Sequence, residues 1–166
     1  ITNTNGGLLI LESNSSLWAW GRNDLGQLGT SDITHRSNPT QIGINLWINI
    51  GSSGLANYAI HSNGYLYSSG YNGNGQLGTN DTVSRSSPTI VGSSLWKQVA
   101  CGYNHTVAIQ SSGLLYAWGN GGNGQLGNNS TTTFYSPVPD GRAIVLMSFR
   151  KGENVESEDD KTILII

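Results

Sequence analysis

Charge, cysteine and long apolar runs are all scarce in this chain. Of its 166 residues, 8 are Lys or Arg and 10 are Asp or Glu, for a net charge of -2. Phosphate binding needs clustered Lys and Arg, so no nucleic-acid footprint is expected. The single cysteine, Cys101, cannot form an internal disulfide and gives no clue to redox compartment. No apolar run approaches the roughly 20 residues that span a bilayer, and no signal-peptide pattern opens the chain, which reads as soluble. Ile1 stands where a start Met would, which predicts a processed product or a fragment of something longer.

Turn chemistry is abundant instead. Asn, Ser and Thr account for 52 residues and Gly for another 23, so turn formers outweigh strong helix formers. The few charges are unevenly placed. Residues 1–139 hold eight (Glu12, Arg22, Asp24, Asp32, Arg36, Asp81, Arg85, Lys97), and residues 140–166 hold the other ten. A polar, nearly uncharged surface offers little long-range steering to a charged partner.

Self-similarity decides the architecture. Gly-Gln-Leu-Gly occurs at 26–29, 75–78 and 124–127, a step of 49 each time. Leu17, Leu66 and Leu115 keep that step, as do Gly21, Gly70 and Gly119, and Pro39, Pro88 and Pro137. Residues 1–11 align with 50–60 and 99–109, so three cycles are followed by re-entry into a fourth. In the second cycle the signals predict strands at 55–60, 65–69, 89–91 and 95–100, joined by Gly and Asn turns and one long polar loop. Four short strands per unit with no helical period predict all-β architecture, with propeller blades of four antiparallel strands. A β-helix uses a shorter repeat. The expected organisation is three 49-residue repeats over 1–139, then a charged partial fourth repeat over 140–166 with a seven-residue acidic insertion near 153–160 and a terminal strand.

Leu115-Tyr116-Ala117-Trp118-Gly119 and Gly124-Gln125-Leu126-Gly127, preceded by Gly102-Tyr103-Asn104-His105-Thr106, resemble the repeat of the regulator of chromosome condensation family. The resemblance covers residues 1–139 and implies a β-propeller, usually closed with seven blades. About three are present here, so a larger or intermolecularly completed ring is expected, with further blades in cis or from a second copy. The resemblance also implies a structural hydrogen bond from His105.

The remaining residues read as architecture. Glycines at 21, 26 and 29 and their counterparts shape the bend after the second strand of each predicted hairpin. Leu28, Leu77 and Leu126 anchor polar loops to the core, while Gln27, Gln76 and Gln125 hydrogen-bond loop backbone. Trp18, Trp20, Trp47, Trp96 and Trp118 are suited to packing between blades. His35, His61 and His105 show no metal-ligand spacing, Cys101 reads as a small buried side chain, and no nucleophile elbow is present. Residues 71–75 are Gly-rich but lack the Lys and helix start of a phosphate cradle. No catalytic residue, metal or cofactor is therefore expected. The expected function is a non-enzymatic interaction module for a protein partner of unspecified identity. Two alternatives are an extracellular or virion structural protein, a location slightly favoured by the low charge, and guanine-nucleotide exchange on a small GTPase, which the family resemblance brings in. Loops at 22–25, 71–74 and 120–123 are expected on one face, with Arg22, Asn23, Asp24, Tyr71, Asn72, Asn120 and Asn123 as candidate partner contacts.

Overall fold

The computed structural model describes residues 1–143 apart from residue 45, so the acidic insertion and terminal strand lie outside the described residues. Every regular element described is a strand. The first blade contains β1 (Thr2–Thr4), β2 (Gly7–Leu11), β3 (Leu17–Gly21) and β4 (Arg36–Gln41), paired antiparallel in that order. The second contains β5 (Trp47–Ser52), β6 (Ala56–His61), β7 (Tyr65–Gly70) and the beginning of β8 (Arg85–Cys101). The third uses the end of β8, then β9 (His105–Gln110), β10 (Leu114–Gly119) and β11 (Phe134–Ala143).

The 49-residue period thus maps onto three four-stranded blades. One detail differs from the sequence reading, in which residues 89–91 and 95–100 are separate strands. They belong to a single 17-residue strand, β8, which pairs with β7 through Arg85, Thr89 and Ile90 and with β9 from Trp96 to Cys101. A register shift opposite Tyr65 and Tyr67, with Gly92 at φ 61°, turns the chain without ending the strand. β11 likewise runs past position 139 to Ala143.

The first strands of successive blades lie side by side. Ser52 Oγ donates to the Asn3 carbonyl at 2.8 Å and is bonded to Thr2 Oγ1, while Gly51 packs on Val99 and Cys101. These strands form the inner edge. The apolar core sits between blades rather than inside any one of them. Leu9, Leu17, Ala19, Leu28, Ile42, Trp47 and Ala59 fill the first junction, and a larger cluster around Tyr58, Leu66, Leu77, Val91, Trp96 and Trp118 fills the second. Burial of each large apolar side chain is worth roughly 1.5 to 3 kcal/mol, so a blade is stabilised mainly by its neighbours. Trp47, Trp96 and Trp118 are buried as expected, but Trp18 and Trp20 are only half-buried. Trp18 turns its Nε1 outward to the Glu12 carboxylate, and Trp20 lies on the side of the first blade that no other blade covers in the described chain.

Candidate functional site

Antiparallel four-stranded blades put two kinds of loop on the same face: the short turn after each first strand and the long polar loop after each third. The two are tied together in every repeat. Arg22, Tyr71 and Asn120 donate their backbone amides to the carbonyls of Gly6, Leu55 and Asn104 at 2.8 to 2.9 Å. The three long loops do therefore share a face. Each long loop starts just beyond a glycine that cannot be replaced: at Gly70, φ is 108° and a Cβ would fall 2.4 Å from the Leu55 carbonyl oxygen.

Near the inner edge this face carries an open depression of about 400 Å³. Asn3, Asn5, Ser52, Gly54, Cys101 and Tyr103 contribute to its wall. Asn5, Gly54 and Tyr103 are register equivalents, one from each repeat, and Asn5 donates its amide to the Gly54 carbonyl at 2.8 Å. Tyr103 leans across Gly54, where a Cβ would come within 2.5 Å of its ring, yet 60% of the tyrosine remains exposed. The sequence reading does not single out Tyr103 for binding. Its signal was the 49-residue step itself, which sets a large aromatic against Asn5 and Gly54 at one loop position.

Beside the depression, Arg22 Nε and NH2 donate to Asp24 Oδ1 and Oδ2 at 2.7 and 2.6 Å, with both side chains a little over two-fifths exposed. Hydrogen bonding from Arg22 holds the Asp24 carboxyl down to about 2, and the bond to Asp24 raises the guanidinium in turn. The pair presents two opposite charges in fixed geometry rather than one free charge.

The other candidate contacts divide sharply. Asn123 is exposed, and Tyr71 and Asn120 are half-buried. Asn23 and Asn72 are fully buried, which removes both as contact side chains. Asn72 Nδ2 donates to Thr79 Oγ1, the Asp81 carbonyl and Asp81 Oδ1 at 2.9 to 3.1 Å, while its Oδ1 accepts the Leu77 amide at 2.9 Å. Asn23 does the same with Thr30, Asp32 and the Leu28 amide. Each asparagine is the hub around which its own loop folds, and Asp32 and Asp81 are further held by Arg36 and Arg85.

The repeat glutamines act as expected on loop backbone: Gln27, Gln76 and Gln125 accept through Oε1 from the amides of Leu25, Asn74 and Asn123 at 2.8 to 3.0 Å. The histidines differ from expectation in one respect. The His105 imidazole makes no hydrogen bond among the described residues; it packs flat over Gly102, where a Cβ would fall 2.0 Å from Cε1, and desolvation lowers its pKa. The structural bond at that position is made by backbone, from the Gly102 amide to the His105 carbonyl at 2.9 Å. His35 accepts the Asn23 amide through Nδ1, and His61 stacks edge-on against Trp47. Burial pushes the Cys101 thiol far above its ordinary value, which keeps it protonated and a poor nucleophile. Among the described residues no group of three or more His, Cys, Asp or Glu is placed to hold a metal ion, and none of their helices is long and apolar enough to cross a membrane.

Four-stranded sheets that stack on copies of themselves, inner strand beside inner strand, define a β-propeller repeat protein, with three blades among the described residues. The regulator of chromosome condensation (RCC1) repeat matches residues 14–48, 63–109 and 112–153, and a second form of the same repeat matches 96–125. The chain belongs to the RCC1 repeat family. No curated protein matches it by sequence. Among solved structures it is similar to human WBSCR16, with 22% identity and a TM-score of 0.73 over 82% of this chain and 36% of that one. It is similar also to Prp20p of Saccharomyces cerevisiae, described with its binding to Gsp1p and histones, at 21% identity and TM-score 0.73, covering 84% of this chain and 37% of that one. Yeast RCC1 (Prp20) with Kap60 bound gives 20% identity and TM-score 0.75, covering 84% and 36%. At these identities the likeness is one of fold, and the chain spans little more than a third of the length of these neighbours.

Proposed function

We propose that this chain is the propeller part of a protein-binding module that works without catalysis, and that the partner docks on the loop face. The observation that carries this reading is the exposed Tyr103, braced over Gly54 beside the Arg22–Asp24 pair at the rim of an open depression. Rigid aromatic and Arg side chains around a concavity are the residues that most often dominate binding energy. A polar, nearly uncharged surface selects by shape and hydrogen bonding rather than by long-range attraction. The binding of Gsp1p and histones by Prp20p, and of Kap60 by yeast RCC1, supplies the first partners to try.

Biolayer interferometry of the chain against Gsp1p, histones and Kap60 tests the reading. Tyr103→Ala should weaken any specific complex by tenfold or more, consistent with loss of a central aromatic anchor. Asn63→Ala, in an exposed turn on the opposite face, should leave it unchanged. Binding that is indifferent to Tyr103→Ala and Arg22→Ala, or equally reduced by Asn63→Ala, would remove the loop face as the docking surface. Acceleration of nucleotide release from Gsp1p would add exchange activity to the reading.

A further inference from the structure

Asparagine followed by glycine is the pair in which the backbone can attack its own side chain, because a following residue without a Cβ lets its amide nitrogen reach the asparagine Cγ. The attack needs an asparagine open to water, a side chain free to turn, and a glycine amide that holds no hydrogen bond. The chain has six such pairs, at Asn5, Asn63, Asn72, Asn74, Asn120 and Asn123. The fold ties up five of them. The Gly64, Gly75 and Gly124 amides donate to the carbonyls of His61, Asn72 and Gly121 at 2.8 to 2.9 Å, and the Gly121 amide donates to Thr133 Oγ1 at 3.4 Å. Asn72 is fully buried, with its side-chain amide bonded at both ends.

Asn5–Gly6, in the turn between β1 and β2, is not tied. Both residues are exposed, and neither the Asn5 side chain nor the Gly6 amide has a hydrogen bond among the described residues. The free amide belongs to the turn and not to the place of this blade in the row. Leu55 and Asn104, the register equivalents of Gly6 in the second and third blades, donate their amides to nothing among the described residues either. Asn123–Gly124 is exposed too, and what sets it apart is the bond that the Gly124 amide holds.

We infer that Asn5 is a site of spontaneous deamidation in the folded protein. The Gly6 nitrogen loses its proton and bonds to Asn5 Cγ, the bond from Cγ to the side-chain nitrogen breaks, and ammonia leaves with that proton. The succinimide so formed takes up one water, and nothing is oxidised or reduced. Opening at Cγ gives aspartate; opening at the backbone carbonyl gives isoaspartate, in which the chain runs through Cγ. Either product sets a carboxylate in the wall of the loop-face depression. Isoaspartate also lengthens the backbone by one atom between two fixed points: the Asn5 amide on the Gly54 carbonyl and the Gly6 carbonyl on the Arg22 amide, each at 2.8 Å. Its formation therefore loosens the tie between the short turn and the long loop. An effect on a docked partner rests on the loop face being the docking surface; the reaction itself does not.

Ageing the full chain at neutral pH in heavy-oxygen water, folded and in urea, followed by peptide mass mapping, tests it. In the folded chain Asn5 should convert ahead of the other five. Asn123 should lag it roughly two- to tenfold, the factor by which one hydrogen bond holds an amide closed. In urea, where every amide is free, the six should convert at similar rates. The isoaspartyl chain, separated by ion exchange, should lose hydrogen-exchange protection at the Arg22 amide, whereas Asn5→Asp, which adds the charge without lengthening the backbone, should keep it. Folded Asn5 that stays intact while the urea-treated chain converts, or any other pair converting as fast as Asn5 in the folded chain, would overturn the inference. Unchanged protection of Arg22 in the isoaspartyl chain would overturn the loosened turn.

Discussion

Replacing Asn72 with Ala should destabilise the protein although the residue lies in a polar loop. The substitution deletes an amide that donates to Thr79 and twice to Asp81, and it strands the amide of Leu77, a residue with 0% exposure. Each intramolecular hydrogen bond contributes about 0.5 to 1.5 kcal/mol net, and a buried donor left without a partner costs about 1 to 3 kcal/mol. Since the two amide hydrogens are shared among three acceptors, the sum is about 3 to 4 kcal/mol rather than the full count of contacts. For a chain of this size that corresponds to a fall in Tm of roughly 10 °C. Urea unfolding followed by tryptophan fluorescence measures the total, and hydrogen exchange at the Leu77 amide reports the site. Asn72→Asp keeps the acceptor for Leu77 but sets a second carboxylate against Asp81, so it should be no milder. A loss below about 1 kcal/mol with the Leu77 amide still protected would refute the hub.

Three further outcomes follow from the same contacts. Tyr58→Phe removes an O–H that donates to the Gln76 carbonyl at 2.8 Å and accepts from Thr106, but Thr106 keeps its own bond to Gln76. The expected cost in urea unfolding is about 1 kcal/mol, and a larger loss would mean that the second junction depends on this hydroxyl more than its geometry implies. Gly70→Ala forces a Cβ to within 2.4 Å of the Leu55 carbonyl oxygen at φ 108°, so it should cost more than about 3 kcal/mol or prevent folding; a soluble variant with an unchanged melting curve would contradict the close approach. Acid should weaken the fold through Asp32 and Asp81, whose pKa values are lowered. For Asp32 the Thr34 amide is the main cause, followed by Arg36; for Asp81 burial acts upward and is outweighed by the Val83 amide, Thr79 and Arg85. A carboxylate depressed in the folded state contributes stability above its unfolded value of about 3.9 and loses it as pH falls through the folded value. The urea midpoint should therefore be level above pH 5 and decline below about 4, with the slope reduced in Asp32→Asn/Asp81→Asn. An equal decline in the double variant would place the acid sensitivity elsewhere.

Much of this was legible in the sequence because a propeller is built from local rules applied three times. The 49-residue step marked the blades, the buried loop anchors Leu28, Leu77 and Leu126, and the glycines at the bends. Two things were hidden, each for a physical reason. β8 is continuous where the sequence suggested a break, because a glycine inside an extended run can mark a bulge as readily as an end. Asn23 and Asn72 read as surface in the sequence because asparagine in a polar loop usually is surface, and no local rule reveals a side chain bonded to residues seven to eleven positions away. The repeat did hold the missing clue. Asn72, Asp81 and Arg85 have the counterparts Asn23, Asp32 and Arg36 in the first cycle, whereas the third has Gly121, Ser130 and Phe134. All three polar partners are absent together, as they would be if none served a purpose without the others. At Gly121 a Cβ would fall 2.0 Å from the Thr132 carbonyl oxygen, so backbone fills the space that the hub side chain occupies elsewhere. The third loop is thus held by other bonds, the Gly121 amide donating to Thr133 Oγ1 and Gln125 linking Asn120 to the Asn123 amide, without the Asn hub or the Asp–Arg pair that braces the first two.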